Sequence, residues 1–61
     1  MKTFTLIIKK GKENIFLFEL RNLGVKLPTI DRQNDRTLFD FQVKNFNEQL
    51  KIERLRIDLG L

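Results

Sequence analysis

Apolar and polar residues alternate near the start of the chain. If residues 3–9 are extended, one side of the segment carries Phe4, Leu6 and Ile8, and the other side carries Thr3, Thr5 and Ile7. This period of two predicts a β-strand with one buried face. The polar stretch 10–14, which contains Gly11, predicts a tight turn after that strand.

The segment 15–23 fits two different structures. It is rich in aromatic and β-branched residues, which favours a second strand that completes a hairpin. Phe16, Leu20 and Leu23 are also spaced as on one face of a helix, and Gly24 could end that helix in a left-handed conformation. We favour the strand, because a helix that begins with Ile-Phe-Leu-Phe has poor intrinsic propensity.

The middle of the chain is predicted to be extended and then to form a loop. Residues 25–30 read as extended, and Pro28 is typical of an edge strand or a loop. Six consecutive polar residues at 31–36 predict a surface loop.

The next segment is again consistent with two structures. If the segment is a strand, Phe39, Phe41 and Val43 lie on the same, buried face. A helix would instead align one face made up of Phe39, Val43, Phe46 and Leu50. Thr37 and Asp40, three residues apart, resemble a helix capping box. We therefore predict a helix from about Leu38 to Asn47.

The last segment alternates most clearly of all. Its apolar residues are Leu55, Ile57, Leu59 and Leu61, and the charged residues between them are Arg54, Arg56 and Asp58. This pattern predicts a final strand with Ile57 in the core. Leu50 and Ile52 have the opposite parity, which requires a bulge or turn near Glu53.

These elements predict one α+β domain over residues 1–61. Its antiparallel sheet would have three to four strands and one helix, in the order β-β-α-β, with β-α-β-β as the alternative. A chain of 61 residues buries only about 60% of its unfolded surface, so a domain of this size is marginally stable alone. Because the chain has no Cys and no His, disulfides and the commonest transition-metal ligands are excluded. We therefore predict a homodimer, with no metal and no cofactor.

The residue types that the chain lacks argue against catalysis. Ser, Cys, His, Tyr, Trp and Ala are all missing, and an activated nucleophile usually needs His as its base. Paired carboxylates need a cleft, which a domain of this size can hardly form. We predict that the protein is not an enzyme and acts by binding.

Charge and hydropathy suggest what it binds and where it acts. The net charge is +4, and Lys9, Lys10 and Lys12 together with Arg54 and Arg56 would form one basic surface if the first and last strands paired. Such clusters contact nucleic-acid phosphates, although a solvated charged face is the commoner explanation. No apolar stretch is long enough for a signal peptide or a membrane span, so we expect a cytoplasmic protein without a membrane partner, in the host cytoplasm if it is viral.

Several apolar residues fall on the polar side of the predicted strands. They are Ile7, Ile15, Leu17 and Leu38. A thin sheet with one helix layer buries one face only, so these residues predict an exposed apolar patch that contacts another protein or subunit. The alternative is that the predicted secondary structure is wrong and that these side chains belong to the core.

Two stretches of the chain carry a family resemblance. The first is Thr5-Leu6-Ile7-Ile8 followed closely by Gly11-Lys12, and the second comprises Leu38, Asp40, Phe41, Val43, Asn47, Ile52, Leu55, Arg56 and Asp58. In order and spacing these residues resemble the small uracil-DNA glycosylase inhibitors of certain Bacillus phages. The resemblance implies a three-stranded sheet with one helix, a dimer, and a surface that blocks the DNA-binding face of the target enzyme. Phe41 corresponds to the apolar plug of that family.

A shorter likeness involves Glu-Leu-Arg-Asn-Leu-Gly-Val at residues 19–25. It resembles the swapped-hairpin transcription factors, which place a similar Glu-Leu-Arg segment before a Gly and whose dimers bind DNA.

The expected function is therefore that of a non-enzymatic binding protein. We expect it to inhibit or regulate a larger protein through an apolar patch that contains Phe41, Phe46 and Leu38. The alternative is a basic dimeric nucleic-acid-binding regulator that uses the five basic residues named above, and a pure assembly subunit comes third.

Overall fold

The computed structural model describes residues 2–61, which form three strands and two helices. In chain order the elements are β1 (Lys2–Lys9), α1 (Glu13–Leu23), β2 (Thr29–Arg32), β3 (Arg36–Val43) and α2 (Phe46–Asp58). The strands form one antiparallel sheet, so the predicted α+β class and a three-stranded sheet are confirmed. The prediction of a single helix is wrong. Both predicted orders are wrong as well, because the chain follows β-α-β-β-α.

The central strand of the sheet is β3, in the spatial order β1-β3-β2. Because β1 and β2 are both antiparallel to β3, they run parallel to each other with β3 inserted between them. The chain from β1 through α1 to β2 is therefore a split β-α-β unit.

Strand β1 confirms the prediction for residues 3–9. It pairs with β3 without a break from Lys2 opposite Val43 to Lys9 opposite Arg36. Its face towards the helices holds Phe4, Leu6 and Ile8, as the alternation predicts, and Ile7 on the other face is about half exposed.

Segment 15–23 is helical, so the favoured strand is wrong and the alternative is confirmed. Phe16 and Leu20 point into the core and are fully buried, while Phe18, which a strand would bury beside them, is 63% exposed. Tertiary packing of this one face outweighs the poor helix propensity of the sequence. Gly24 ends the helix with φ of 81° and donates its N–H to the carbonyl of Arg21, as the helical alternative requires.

The predicted loop at residues 31–36 is shorter than expected. Asp31 and Arg32 complete β2, and Arg36 already begins β3. The backbone N–H of Gln33 donates to the carbonyl of Arg36 at 2.9 Å, which closes a tight hairpin. Pro28 immediately precedes β2, an edge strand, in agreement with the extended prediction for this region.

The helix predicted from Leu38 to Asn47 is wrong, because residues 36–43 form β3. Phe39, Phe41 and Val43 alternate as buried residues on the helix-covered face. The expected capping pair also has another role: Thr37 is buried and donates its hydroxyl to Glu13, and Asp40 accepts a hydrogen bond from the Thr5 hydroxyl on the open face. Both side chains connect β3 to its neighbours.

The final strand predicted around residues 55–61 is also wrong, because Phe46–Asp58 forms helix α2. Asn45 caps its start, with the side-chain oxygen 3.0 Å from the backbone nitrogen of Glu48. Ile52 is fully buried, whereas Ile57, the residue predicted for the core, is 67% exposed. No bulge near Glu53 is needed, because Leu50 and Ile52 lie on the same helix.

One face of the sheet packs against both helices and contains the core. The fully buried apolar residues come from β1, β3, α1 and α2, namely Ile8, Phe16, Leu20, Phe39, Phe41, Val43 and Ile52. The opposite face is not covered by any element of residues 2–61, and mainly Thr, charged and amide side chains occupy it. The resemblance to the phage inhibitors implies a fold with one helix only, whereas this structure has two.

Candidate protein-interaction surface

The predicted anchor Phe41 lies in the core. It is only 1% exposed, its ring stacks on Phe4 with 5.0 Å between centroids, and it meets the Phe16 ring edge-on at 6.2 Å. Such aromatic contacts add to the stability of a core. Phe41 therefore belongs to the interior of the domain and is not available as a surface anchor in this fold.

Leu38 lies on the open face of the sheet, directly opposite Ile7 on β1. Leu38 is half-buried and Ile7 about half exposed, so the two form one small apolar contact. Their neighbours in the sheet are polar, and Asp31 pairs with Leu38 from the other side. Leu38 is less exposed than Phe46, Leu50 and Ile57 of α2.

Phe46 is the one predicted anchor that is clearly accessible. It begins α2 and is 53% exposed, and the Lys2 ammonium group lies 5.5 Å from the centroid of its ring. A cation at this distance is attracted to the face of the ring. The start of α2 is thereby held close to the start of β1.

Helix α2 has a second apolar face opposite the core. Phe46, Leu50 and Ile57, which we call the outer stripe, are all about half or more exposed. With about 100° of rotation per residue, they lie within about 40° of one another around the helix axis. Ile57 lies about 140° from the buried Ile52 by the same rule. The helix is thus apolar on its inner and its outer side.

The outer stripe borders an open hollow with a polar rim. The hollow has a volume of about 550 Å³ and is lined by Leu50, Lys51, Glu53, Arg54 and Ile57. On its rim the Arg54 guanidinium lies 3.4 Å from the Asp58 carboxylate, and Gln49 donates to Glu53 at 3.1 Å. An apolar centre with a polar rim is the usual composition of a protein interface.

The sequence prediction did not include Leu50 and Ile57 among the binding residues. A strand was predicted at the end of the chain, which placed Ile57 in the core. The signal that identifies the helix is Asn45 followed three residues later by Glu48, a capping pair at the start of α2. This pair marks the start of α2. The burial of Ile52 in the core then leaves the outer stripe in solvent.

The predicted basic residues divide into two groups. Lys9, Lys10 and Lys12 are exposed at the end of β1 and in the turn after it. Arg36, which was not predicted, is the register partner of Lys9, and the Lys10 ammonium donates to the carbonyl of Asn34 in the β2–β3 turn at 3.1 Å. We call Lys9, Lys10, Lys12 and Arg36 the basic end.

Arg54 and Arg56 do not join the basic end through strand pairing, because α2 is not part of the sheet. Arg54 is exposed and paired with Asp58, and Arg56 is half-buried, with its Nε atom buried and without a hydrogen-bond partner in the described residues. The single basic surface was predicted on the assumption that the first and last strands pair. This pairing does not occur, because the last segment is the helix α2.

Glu13, at the start of α1, is a buried acid below the basic end. Its carboxylate accepts hydrogen bonds from the Thr37 hydroxyl at 2.7 Å and from the Gly11 N–H at 2.6 Å, and Arg32 lies 3.4 Å away. The Thr37 hydrogen bond, followed by the backbone N–H groups of Glu13 and Gly11 and the Arg32 charge, lowers the pKa of Glu13, although burial acts in the opposite direction. This ionised side chain ties α1 to β2 and β3.

Comparison of the chain with protein-family models, curated proteins and solved structures found no significant match. Within residues 2–61, no cluster of three or more acidic side chains is arranged to hold a metal ion. None of the helices in that range has the length and hydropathy needed to cross a membrane.

Proposed function

We propose that this protein is a non-enzymatic binding protein that inhibits or regulates a larger protein through the outer stripe of α2. The observation that carries the proposal is the second apolar face of this helix, where three large side chains remain exposed. Burial of a side chain of this size is worth about 1.5–3 kcal/mol relative to leaving it in water. An apolar groove on a partner would supply that burial.

The geometry supports a helix-in-groove contact. Residues 46, 50 and 57 lie at the spacing i, i+4 and i+11, which lets one straight groove contact all three side chains. Phe46 is the expected anchor, because buried aromatic residues carry a large share of the binding energy in interfaces. The Arg54–Asp58 ion pair and the Gln49–Glu53 hydrogen bond would form the rim around Leu50 and Ile57 and set the orientation.

The resemblance to the phage inhibitors names a first enzyme to assay. We propose uracil-DNA glycosylase as the initial test target, with the rate of uracil excision measured at increasing concentrations of this protein. Inhibition that Phe46→Ala relieves would support both the target and the surface. If excision is unchanged, this target is excluded, and the search turns to partners retained by the immobilised protein.

The surface is tested with matched substitutions on the two helices. Phe46→Ala should weaken binding of the retained partner by about 30-fold or more, which corresponds to an anchor worth at least 2 kcal/mol. Phe18→Ala removes an aromatic ring from α1 that is somewhat more exposed than Phe46, and should leave the affinity unchanged. Equal losses from both variants, or none from Phe46→Ala, would contradict the proposal.

The basic end favours a second candidate, a regulator that binds nucleic acid. Four cationic residues from β1, its turn and β3 lie at the same end of the sheet, so they can contact neighbouring phosphates. Among residues 2–61, the open sheet face carries no aromatic side chain, since Phe4, Phe39 and Phe41 all face the helices. Sequence-independent phosphate contact is therefore the expected mode.

Salt dependence separates the two candidates. Nucleic-acid binding should fall steeply with salt, and charge reversal of Lys9, Lys10 and Lys12 should abolish it and flatten the salt slope. Binding through the outer stripe should barely respond to either change. Fluorescence anisotropy with labelled single-stranded and duplex DNA, compared with the partner-binding assay, gives both measurements.

A further inference from the structure

The outer edge of β1 has the properties of a strand-pairing surface. The strand is eight residues long and continuously paired with β3, and it contains neither Pro nor Gly. No strand of residues 2–61 pairs with its other side. Natural edge strands are usually protected by a charge, a Pro or a bulge, but every residue from Thr3 to Ile8 is uncharged. The opposite edge, β2, has only four residues and follows Pro28 directly.

The core is incomplete along this edge. Phe4 and Leu6 face the helix layer, yet both remain half-buried. The residues directly opposite them on β3, Phe41 and Phe39, are almost fully buried. A further strand beside β1, with its own helices above it, would cover Phe4 and Leu6.

We propose that β1 pairs antiparallel with β1 of a second copy of this chain, around a two-fold axis at Thr5. Two sheets would then join into one of six strands, a common sheet size, with all four helices on one side. This contact is isologous, so every interaction that it makes occurs twice. The contact lies on β1 and leaves the outer stripe of α2 free, so it is independent of the proposed function.

The alternation and charges of β1 limit the possible registers. Directly opposite residues must share a face, so an axis at a residue is allowed, whereas one between two residues would place apolar side chains opposite polar ones. With the axis at Thr5, Phe4 faces Leu6 of the second copy, and no lysine faces a lysine. With the axis at Leu6, Lys2 would face Lys10, a repulsive pair.

A second copy is the expected occupant because the chain is small and the edge is self-complementary. A domain of this size usually needs a disulfide, a metal or association to reach useful stability, and it has no Cys and no His. The centre of β1 presents the same uncharged, β-prone sequence to each copy in the antiparallel arrangement. A single strand contact thus supplies association and covers the incomplete core.

Single-cysteine variants test the contact directly, since the chain contains no Cys. Thr5→Cys places two thiols opposite each other across the axis, at a separation suited to a disulfide. We expect mild oxidation to convert this variant largely to a covalent dimer. Thr29→Cys, on the same open face but on β2, is the matched control and should remain mostly monomeric on denaturing gels.

Sedimentation equilibrium of the unmodified 61-residue chain provides the second measurement. We expect a dimer, and Thr5→Lys should weaken it at least tenfold by placing two ammonium groups on the axis, whereas Thr29→Lys should not. A monomer at every concentration tested would overturn the proposal and leave the edge to a different occupant. A dimer that cross-links through Thr29→Cys but not through Thr5→Cys would overturn it as well.

Discussion

Replacing Ile52 by Ala should remove most of the stability of this domain. Ile52 is the fully buried residue of α2, and the change deletes three carbon atoms from the core. At about 0.8 kcal/mol per buried CH₂, the transfer term alone is about 2.4 kcal/mol. The cavity left behind brings the expected loss to about 2–5 kcal/mol. Domains of this size seldom exceed about 3–5 kcal/mol in total.

Ile57→Ala is the matched control, because it makes the same chemical change five residues further along the same helix. Ile57 is 67% exposed, so we expect its free energy of unfolding to change by no more than about 0.5 kcal/mol. Circular dichroism during thermal unfolding measures both variants at one protein concentration. Each kcal/mol shifts the midpoint by about 4–8 °C, so Ile52→Ala should melt at least about 10 °C below the parent.

The result that would refute this reasoning is an equal or larger loss from Ile57→Ala. It would mean that residues 55–61 form a strand with Ile57 inside, and that the outer stripe does not exist. Loss of stability from Ile52→Ala alone would confirm the helix and its phase.

Two further predictions concern the ends of α1. Because hydrogen bonding lowers the folded-state pKa of Glu13 below its ordinary value of 4.5, its ionised form stabilises the fold above that pH, and this contribution should disappear as the pH falls through the lowered pKa. Thr37→Val removes the main cause of the lowered pKa, so the melting temperature of this variant should depend less on pH below 4.5 than that of the parent. An unchanged dependence would contradict the assigned network. At the other end, Gly24→Ala should lower the free energy of unfolding by about 1–2 kcal/mol in urea titrations, because φ is 81° there and Ala is strained in this left-handed conformation. No atom lies within 4 Å of an added Cβ, so a steric clash adds nothing to this loss. Gly24→Asn should be milder, and equal stability of the parent and Gly24→Ala would show that the cap is not left-handed.

The three incorrect element predictions have one physical cause. Residues four apart share a face in a helix and also in a strand, so Phe16 with Leu20, or Leu55 with Leu59, fits both. Only the residue midway between the two distinguishes a strand, in which it shares their face, from a helix, in which it does not. In α1 and α2 that residue is exposed, whereas in β3 the corresponding Phe41 is buried. Since Phe18, Phe41 and Ile57 are all large and apolar, their chemistry does not indicate which of them lies inside.

The parts that were predicted correctly had a second, independent signal. For β1, strict alternation ended at a polar turn that contains Gly11, so two signals indicated the same boundary. Of the candidate site, Leu38, Phe41 and Phe46 were all assigned to one helix that does not form. Phe46 is exposed at the start of α2, whereas Leu38 and Phe41 lie in β3. The basic end could be predicted only in part, because Arg36 joins Lys9 through a register that depends on long-range pairing.

That long-range register has a consequence for synthesis of the chain on the ribosome. Strand β1 emerges first, but its pairing partner is complete only at Val43, whereas β2 and β3 are close neighbours in sequence. At about 5–20 residues per second, the first strand waits roughly 2–7 s for its partner. During this interval Thr3–Ile8 is an unpaired apolar segment of the kind that aggregates. Lys2, Lys9 and Lys10 flank it on both sides, where like charges keep nascent chains apart. These lysines thus protect the segment from aggregation before the domain has folded.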